Sequence, residues 1–232
     1  MSGRSYVLVH GAWHGGWCWS RVAGRLRAAG HQVYTPTLTG LGERSHLSGP
    51  HVNLTTHVTD VASVFRWEDL HDVVLCGHSY GGFVISGVAE EVGERIRALI
   101  FLDAFVPEDG QAMIDALAEQ QRERTRGQAA SGSIPPIPAE YFRVNAADRA
   151  YVDRLCVPQP PATFTEPLRL TGARERVPQR VFIRAADYPA EHFERARARS
   201  VAAGWTVHDV HAGHDVMLDA PAELSAILLD YA

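Results

Sequence analysis

The chain has 232 residues, of which 46% are hydrophobic and 21% charged, and its formal net charge is −5. This length and balance suit one globular domain with a full hydrophobic core, and the negative charge disfavours nucleic acid or an anionic membrane surface as the main partner. All 22 residues in the Lys+Arg count are arginine, which excludes a Schiff-base lysine, a Ser-Lys dyad and a P-loop lysine.

Cysteine content and hydropathy predict where the protein works. The three cysteines, Cys18, Cys76 and Cys156, do not describe a disulfide framework. The apolar run at residues 6–9 is too short for a signal-peptide core, and no segment approaches the roughly 20 apolar residues of a membrane span. We therefore expect a cytoplasmic location and no membrane partner.

Strand and helix patterns alternate through the first hundred residues, which favours an α/β fold with a mostly parallel sheet covered by helices. Strands are predicted over residues 6–10, 32–35, 73–76 and 97–102. The intervening helices have apolar positions at Trp19, Val22 and Leu26, at Val58, Val61, Val64 and Phe65, and within residues 80–91.

The alternation stops at residue 106 and resumes near residue 179. The intervening stretch is polar and rich in proline, with helices predicted over residues 111–126 and 147–155. It is interpreted as an inserted helical cap (106–178) on a core made of 1–105 and 179–232; a second small domain or a loose loop is the alternative. The core resumes with strands predicted over 180–185 and 206–210, a helix over 191–203, and a last helix capped by Asp219 with Pro221 in its first turn.

The motif Gly77-His78-Ser79-Tyr80-Gly81 matches G-x-S-x-G, the nucleophile elbow of α/β hydrolases. In that elbow the serine lies on a strained strand-to-helix turn, and side chains at positions 77 and 81 would clash with the neighbouring backbone. An apolar strand precedes the motif and a helix follows it, as the elbow requires. Ser79 is the candidate nucleophile; a glycine-rich turn with an incidental serine is the alternative.

The loop His10-Gly11-Ala12-Trp13-His14-Gly15-Gly16-Trp17 follows the first strand. Acyl transfer develops negative charge on the carbonyl oxygen, and fixed backbone N–H groups stabilise it. The candidate donors are the amides of Ala12 and Tyr80; a plain turn held by packed tryptophans is the alternative.

The candidate general base is His214, in His211-Ala212-Gly213-His214-Asp215 after the last strand. A serine hydroxyl needs a base to take its proton, and the order Ser, acid, His is that of this fold. A metal site built from His208, His211 and His214 is disfavoured, since alternate strand positions face opposite ways and no carboxylate or cysteine cluster completes it.

Two carboxylates compete for the role of the triad acid. Asp187 follows the strand at 180–185, and Asp103 ends the strand at 97–102. Both lie at carboxyl ends of strands, where catalytic groups collect in open α/β sheets. Asp187 is favoured because the usual acid follows the penultimate strand; Asp103 would then be structural.

With these motifs the chain resembles the plant methylesterase and hydroxynitrile lyase family, and more closely its bacterial carboxylesterase relatives, including pyrethroid-hydrolase-like esterases. The resemblance also rests on Thr39-Gly40-Leu41-Gly42-Glu43-Arg44 and Phe101-Leu102-Asp103-Ala104-Phe105-Val106-Pro107. It implies the α/β-hydrolase fold, a helical cap over the active site, a triad of Ser79, Asp187 and His214, oxyanion amides from Ala12 and Tyr80, and no cofactor. Members of the family are often homodimers. Lyase members carry a threonine and a lysine where this chain has Ala12 and Asp215.

We therefore expect a cofactor-free serine carboxylesterase acting on small neutral apolar or aromatic esters through an acyl-enzyme. A lyase or other carbon–carbon cleaving enzyme on the same triad, and a ligand-binding receptor-like protein, are the alternatives. Pocket walls are expected from Trp13, Phe105, Met113, Tyr141, Phe142, Tyr151 and Phe164, although any of them could belong to the core of the cap.

Overall fold

A single parallel sheet of six strands organises the protein, whose computed structural model describes residues 3–232. Neighbouring strands are parallel throughout, in the order β2-β1-β3-β4-β5-β6. The predicted α/β fold is thus confirmed. The strands are β1 (Ser5–Val9), β2 (Gln32–Tyr34), β3 (Val73–His78), β4 (Ile96–Leu102), β5 (Gln179–Ala185) and β6 (Thr206–Val210).

Helices cover both faces of the sheet. Every residue of β3 is buried, and because alternate side chains of a strand point to opposite faces, neither face is open to solvent at the centre. Helix α1 packs against α9, and α2 packs against α3. The helices are α1 (Ser20–Ala28), α2 (Leu54–Trp67), α3 (Gly81–Val92), α4 (Glu119–Ala130), α5 (Arg149–Leu155), α6 (Ala162–Thr165), α7 (Glu191–Ala202), α8 (Val216–Asp219) and α9 (Pro221–Leu229).

Two local predictions are corrected. The helix expected over residues 111–126 is divided into a 3₁₀ turn (Met113–Ala116) and α4. Asp219 does not cap α9, whose first turn has no side-chain cap. Its carboxylate instead accepts hydrogen bonds from the Gly213 amide (3.1 Å) and the Asn145 amide (3.0 Å). Asp219 thereby ties the loop of His214 to the segment between β4 and β5.

The segment between β4 and β5 lies at the carboxyl ends of the strands. It carries α4, α5 and α6, and two isolated antiparallel bridges hold it together, Ala112 with Pro167 and Ile134 with Gln159. It meets the His214 loop directly, since the Phe142 carbonyl accepts from the His214 amide at 2.9 Å. That this segment is an inserted cap with boundaries at 106 and 178 stays a prediction. Within residues 3–232, no helix is long and apolar enough to cross a membrane.

The start of α3 is packed so closely that a methyl group at Gly82 would not fit. A Cβ there would overlap the Phe105 carbonyl oxygen, a backbone atom that cannot move aside cheaply. We expect Gly82→Ala to lower the free energy of unfolding by about 2–4 kcal/mol, measured by urea denaturation. Gly24→Ala in α1 is the control: a Cβ at Gly24 meets no atom within 4 Å, so this variant should be as stable as the wild type or more so. Equal stability of the two variants would contradict the prediction.

Candidate active site

Ser79 lies on the turn between β3 and α3 with a φ of 54°. This left-handed conformation costs a non-glycine residue about 1–2 kcal/mol, so the surrounding backbone has to impose it. The Ser79 amide donates to the Leu102 carbonyl (3.2 Å), and the Ser79 carbonyl accepts from the Gly82 amide (3.0 Å) and the Phe105 amide (3.2 Å). The turn is therefore held by the end of β4 as well as by its own helix.

The glycines of the motif leave room for the turn, as the sequence predicts. A Cβ at Gly77 would lie 2.7 Å from the Gly81 carbonyl oxygen, and one at Gly81 would lie 2.9 Å from the His10 carbonyl oxygen. Both separations are shorter than real Cβ contacts allow. Any side chain at these positions would displace the Ser79 turn.

His214 lies on the loop after β6, almost fully buried and packed among aromatic rings. Its ring stacks on Phe193 at 5.1 Å between ring centroids and lies 4.9 Å from the ring of Tyr188. Its Nδ1 donates to the Asp103 carboxylate at 2.6 Å. Since a carboxylate only accepts, Nδ1 carries the proton in the neutral ring, which leaves the Nε2 lone pair available as a base.

Asp103 makes that contact from the end of β4, where it is fully buried with a φ of 39°. Its other carboxylate oxygen accepts from Arg184 Nη1 at 2.7 Å and from the Ala185 amide at 3.2 Å. Arg184 is itself only 2% exposed and also donates to Glu194 at 2.8 Å. The carboxylate is therefore fixed between the His214 imidazole and a buried guanidinium.

The preference for Asp187 as the partner of His214 is corrected. Asp187 is exposed, and its carboxylate lies 3.2 Å from Nδ1 of the exposed His211. The Ala186 and Asp187 amides donate to the Val210 and Ala212 carbonyls, so the backbone keeps following β6 beyond the end of β5. That pairing holds Asp187 at the surface. Asp103 lies one strand nearer to Ser79 than Asp187 does, because β4 is the neighbour of β3.

The loop after β1 lies directly against the Ser79 turn. A Cβ at Gly11 would be only 3.0 Å from Ser79 Cβ. His10 shapes this loop: its Nδ1 donates to the Gly11 carbonyl (2.8 Å) and its Nε2 accepts from the Leu38 amide (3.0 Å). Burial lowers the pKa of His10 to about 3, so the ring is neutral and can accept that bond.

The amides of Ala12 and Tyr80 flank Ser79 from the two loops. Both residues line the same cavity as Ser79, and within residues 3–232 neither amide donates to a protein acceptor. Tyr80 is also anchored at its other end, where its hydroxyl donates to His57 Nδ1 (3.0 Å) while His57 Nε2 donates to the Thr39 carbonyl (2.8 Å). The Thr39–Arg44 motif of the sequence thus contributes to positioning Tyr80.

A cavity of about 170 Å³ joins Ser79 and His214. Of the residues predicted to line it, Tyr151 does not: its ring packs against Trp17 instead, at 5.3 Å. The others are in its wall, together with Ala12 and Tyr80: Trp13, Phe105, Met113, Tyr141, Phe142 and Phe164.

Sequence reasoning did not predict the part of the cavity wall that comes from α4, nor the part formed by the proline-rich residues 134–138. The residues of α4 that line the cavity, at helical spacing, are Gln121, Arg124, Thr125 and Gln128. Gln121 Nε2 donates to the Tyr141 hydroxyl at 3.0 Å, which connects α4 to an aromatic residue of the wall. The helix is polar on all sides. Its sequence therefore has no apolar residues at helical spacing that would predict a buried or functional face.

His192 is a second residue that the sequence analysis did not single out. It lines the cavity, stacked on Phe105 with ring centroids 4.9 Å apart. Burial, reinforced by the charges of His214 and Arg195, lowers the pKa of His192 to about 4, so it adds no positive charge at neutral pH. Within residues 3–232, no group of three or more His, Cys, Asp or Glu side chains is placed to hold a metal ion.

This fold and this arrangement of Ser79, His214 and Asp103 define an α/β hydrolase. The model of the alpha/beta hydrolase family matches residues 6–227, and the chain belongs to that family. It is 47% identical over 233 residues to the carbendazim hydrolyzing esterase of Nocardioides sp. (strain SG-4G), covering 95% of this chain and 96% of the relative. It is 28% identical to salicylic acid-binding protein 2 of Nicotiana tabacum over 99% of this chain and 97% of that protein.

Solved structures agree with this assignment. An extracellular alpha/beta-hydrolase from a Paenibacillus species superposes with a TM-score of 0.81 at 25% identity, covering 99% of both chains. A pyrethroid hydrolase from Sphingobium faniae JZ-2 superposes with a TM-score of 0.75 at 22% identity, covering 98% of this chain and 96% of that one. The second likeness supports the fold.

Proposed function

We propose that this chain is a serine carboxylesterase with a triad of Ser79, His214 and Asp103. The observation that carries the proposal is the 2.6 Å hydrogen bond from His214 to buried Asp103, in a cavity that also contains Ser79 on a left-handed turn. His214 Nε2 takes the Ser79 proton while Oγ attacks the ester carbonyl. Asp103 holds the imidazole in the required tautomer and stabilises the imidazolium that forms.

The reaction proceeds through an acyl-enzyme. The tetrahedral intermediate breaks its bond to the alcohol oxygen, which receives the proton from His214. Water then enters, gives a proton to His214 and attacks the acyl carbon, and Ser79 leaves with that proton as the acid is released. The amides of Ala12 and Tyr80 stabilise the oxyanion in both steps, and each such donor contributes roughly 100- to 1,000-fold to the rate.

Small neutral apolar or aromatic esters are the proposed substrates. The cavity is small and lined mostly by aliphatic and aromatic side chains, with His192 neutral beside the triad. The one guanidinium among its lining residues is that of the exposed Arg124 on α4. The name of the carbendazim hydrolyzing esterase supports ester hydrolysis as the reaction. A cytoplasmic location and a homodimer stay predictions from the sequence.

A lyase on the same triad is disfavoured by the residue that follows the base. Asp215 is fully buried, its carboxylate contacts His14, and it is absent from the lining of the cavity. It therefore offers no cation where lyases of this family carry a lysine. A receptor-like role without catalysis is disfavoured by the complete set of Ser79, His214 and Asp103.

Substrate class and cofactor independence can be tested together. We expect the purified chain to hydrolyse p-nitrophenyl acetate, butyrate and benzoate, with full activity after exhaustive EDTA treatment and desalting. Carbendazim extends the panel toward the carbendazim hydrolyzing esterase, and Ser79→Ala supplies the background rate. Failure to exceed that background with any ester would contradict the proposed function; loss of activity on chelation, with folding retained, would contradict a cofactor-free mechanism.

A further inference from the structure

A buried ion pair lies directly behind the triad and is not used in the mechanism above. His14 Nε2 donates to the Asp215 carboxylate at 3.1 Å, with His14 3% exposed and Asp215 fully buried. His14 Nδ1 donates to the Ala12 carbonyl at 2.8 Å. Both ring nitrogens therefore act as donors, which is the pattern of an imidazolium cation facing a carboxylate anion.

The charge states follow from the surroundings of the two groups. Burial alone would lower the pKa of His14, but the negative charge of Asp215 and the contact with Cys156 raise it well above its usual value. Burial alone would raise the pKa of Asp215, but the positive charge of His14 and its hydrogen bond lower it below its usual range. The pair is also faced by His78, whose buried ring has a pKa far below its usual value, by His214 and the buried Cys18 thiol near Asp215, and by the Trp17 ring stacked on His14.

The pair joins the loops that carry the reacting groups. Asp215 directly follows His214, and Ala12 carries a proposed oxyanion amide. His78, which directly precedes Ser79, donates from Nε2 to the His214 carbonyl at 3.0 Å and lies 3.8 Å from the Asp215 carboxylate. The loop after β1, the end of β3 and the loop after β6 thus meet at one buried carboxylate.

The peptide groups around Ala12 are fixed from every side. His10 holds the Gly11 carbonyl, His14 holds the Ala12 carbonyl, and the Trp13 amide donates to Gln159 Oε1 at 2.9 Å. Trp13 has a φ of 66°, a conformation that needs such support. Of these supports, the bond from His14 is the one that leads on to the loop of the general base.

We infer that the His14–Asp215 pair fixes the position of the Ala12 amide relative to His214. This inference rests on the proposed esterase function. A buried ion pair contributes little net stability relative to an apolar pair, so its consequence is geometric. Within residues 3–232, His14 supplies the only hydrogen bond that the Asp215 carboxylate accepts, and the other carboxylate oxygen has no partner. Replacing His14 therefore breaks the link between the two loops, and neutralising Asp215 removes its charge and leaves one neutral hydrogen bond.

The variants Asp215→Asn, His14→Asn and the double variant test this inference. A misplacement of about 1 Å costs on the order of 100-fold in rate, so we expect kcat for p-nitrophenyl butyrate to fall about 10- to 100-fold with KM changed less than about 3-fold. The double variant should lose about as much as the worse single variant, because the two residues act as one unit. Asp215→Asn keeps an acceptor for His14, so it stays informative if His14→Asn fails to fold.

Binding of a trifluoromethyl ketone distinguishes a positioning role of the His14–Asp215 pair from a purely structural one. Ser79 adds to its carbonyl and the resulting oxyanion occupies the position of the transition-state oxygen, whereas the matching methyl ketone binds without addition. We expect its inhibition constant to rise by the same factor as kcat falls, with binding of the methyl ketone unchanged. Asp187→Asn and His211→Gln, which break an exposed His–Asp contact nearby, should alter neither value.

Two results would overturn the inference in different ways. Variants that melt at lower temperature but keep wild-type kcat and wild-type affinity for the trifluoromethyl ketone would show a purely structural pair. A wild-type chain that hydrolyses no ester and binds the trifluoromethyl ketone no better than the methyl ketone would remove the proposed function, and the inference with it.

Discussion

Ser79→Ala and His214→Ala are each expected to lower kcat for an activated ester by about 10⁴- to 10⁶-fold, and the double variant should lose little more. The serine needs the imidazole to take its proton, and the imidazole has no other role in the attack, so removing either disables the same step. KM should change little, because the aromatic walls of the cavity remain. A fluorophosphonate should label the wild type once, on the peptide that contains Ser79, and should not label Ser79→Ala.

The controls for this prediction lie close by in the chain. Ser86 is a buried serine on α3 whose hydroxyl donates to the Gly82 carbonyl at 2.7 Å, and His211 is an exposed histidine three residues before His214. Ser86→Ala and His211→Gln should keep kcat near the wild-type value. Additive losses in the Ser79/His214 double variant, or labelling that persists in Ser79→Ala, would show that another residue is the nucleophile.

The motifs predicted the positions of Ser79 and His214 because each is fixed by local chemistry. A glycine-flanked serine after an apolar strand has few other uses, and a histidine after the last strand lies at the same edge of a parallel sheet. The alternation of apolar strands and helices likewise predicted all six strands to within a few residues of their observed ends. These features depend on neighbours in the sequence.

The features that the sequence did not predict depend on contacts between distant segments. Asp103 and Asp187 both follow apolar strands, and only the sheet order, which makes β4 the neighbour of β3, distinguishes them. The polar wall from α4 gave no periodic signal. Tyr151 was expected in the cavity as an aromatic residue of the predicted cap, but its ring packs against Trp17. Asp219 had the residue type of a helix cap, yet its carboxylate binds two amides from other loops.

Asp103→Asn is expected to give a folded protein whose kcat is lower by about 10⁴-fold, with KM mostly unchanged. An asparagine at this position can donate from Nδ2 to His214 Nδ1, which stabilises the tautomer with its proton on Nε2 and removes the base. The asparagine also carries no negative charge to stabilise the imidazolium that forms in the transition state. Since Arg184 would lose one of its two charged partners, the one at 2.7 Å, we expect stability to fall as well, by about 1–3 kcal/mol.

Asp187→Asn is the matched variant, at the carboxylate that the sequence alone favoured. Its side chain is 55% exposed and, among residues 3–232, His211 is its one partner within hydrogen-bonding distance. We therefore expect kcat to stay within about 2-fold of the wild type and the melting temperature not to change. The measurements are kcat and KM on one ester, with circular dichroism to confirm folding of both variants. If Asp187→Asn were folded but inactive while Asp103→Asn kept wild-type kcat, the exposed loop after β5 would have to close onto His214 during catalysis. The 2.6 Å contact between His214 and Asp103 would then be a resting arrangement without a catalytic role.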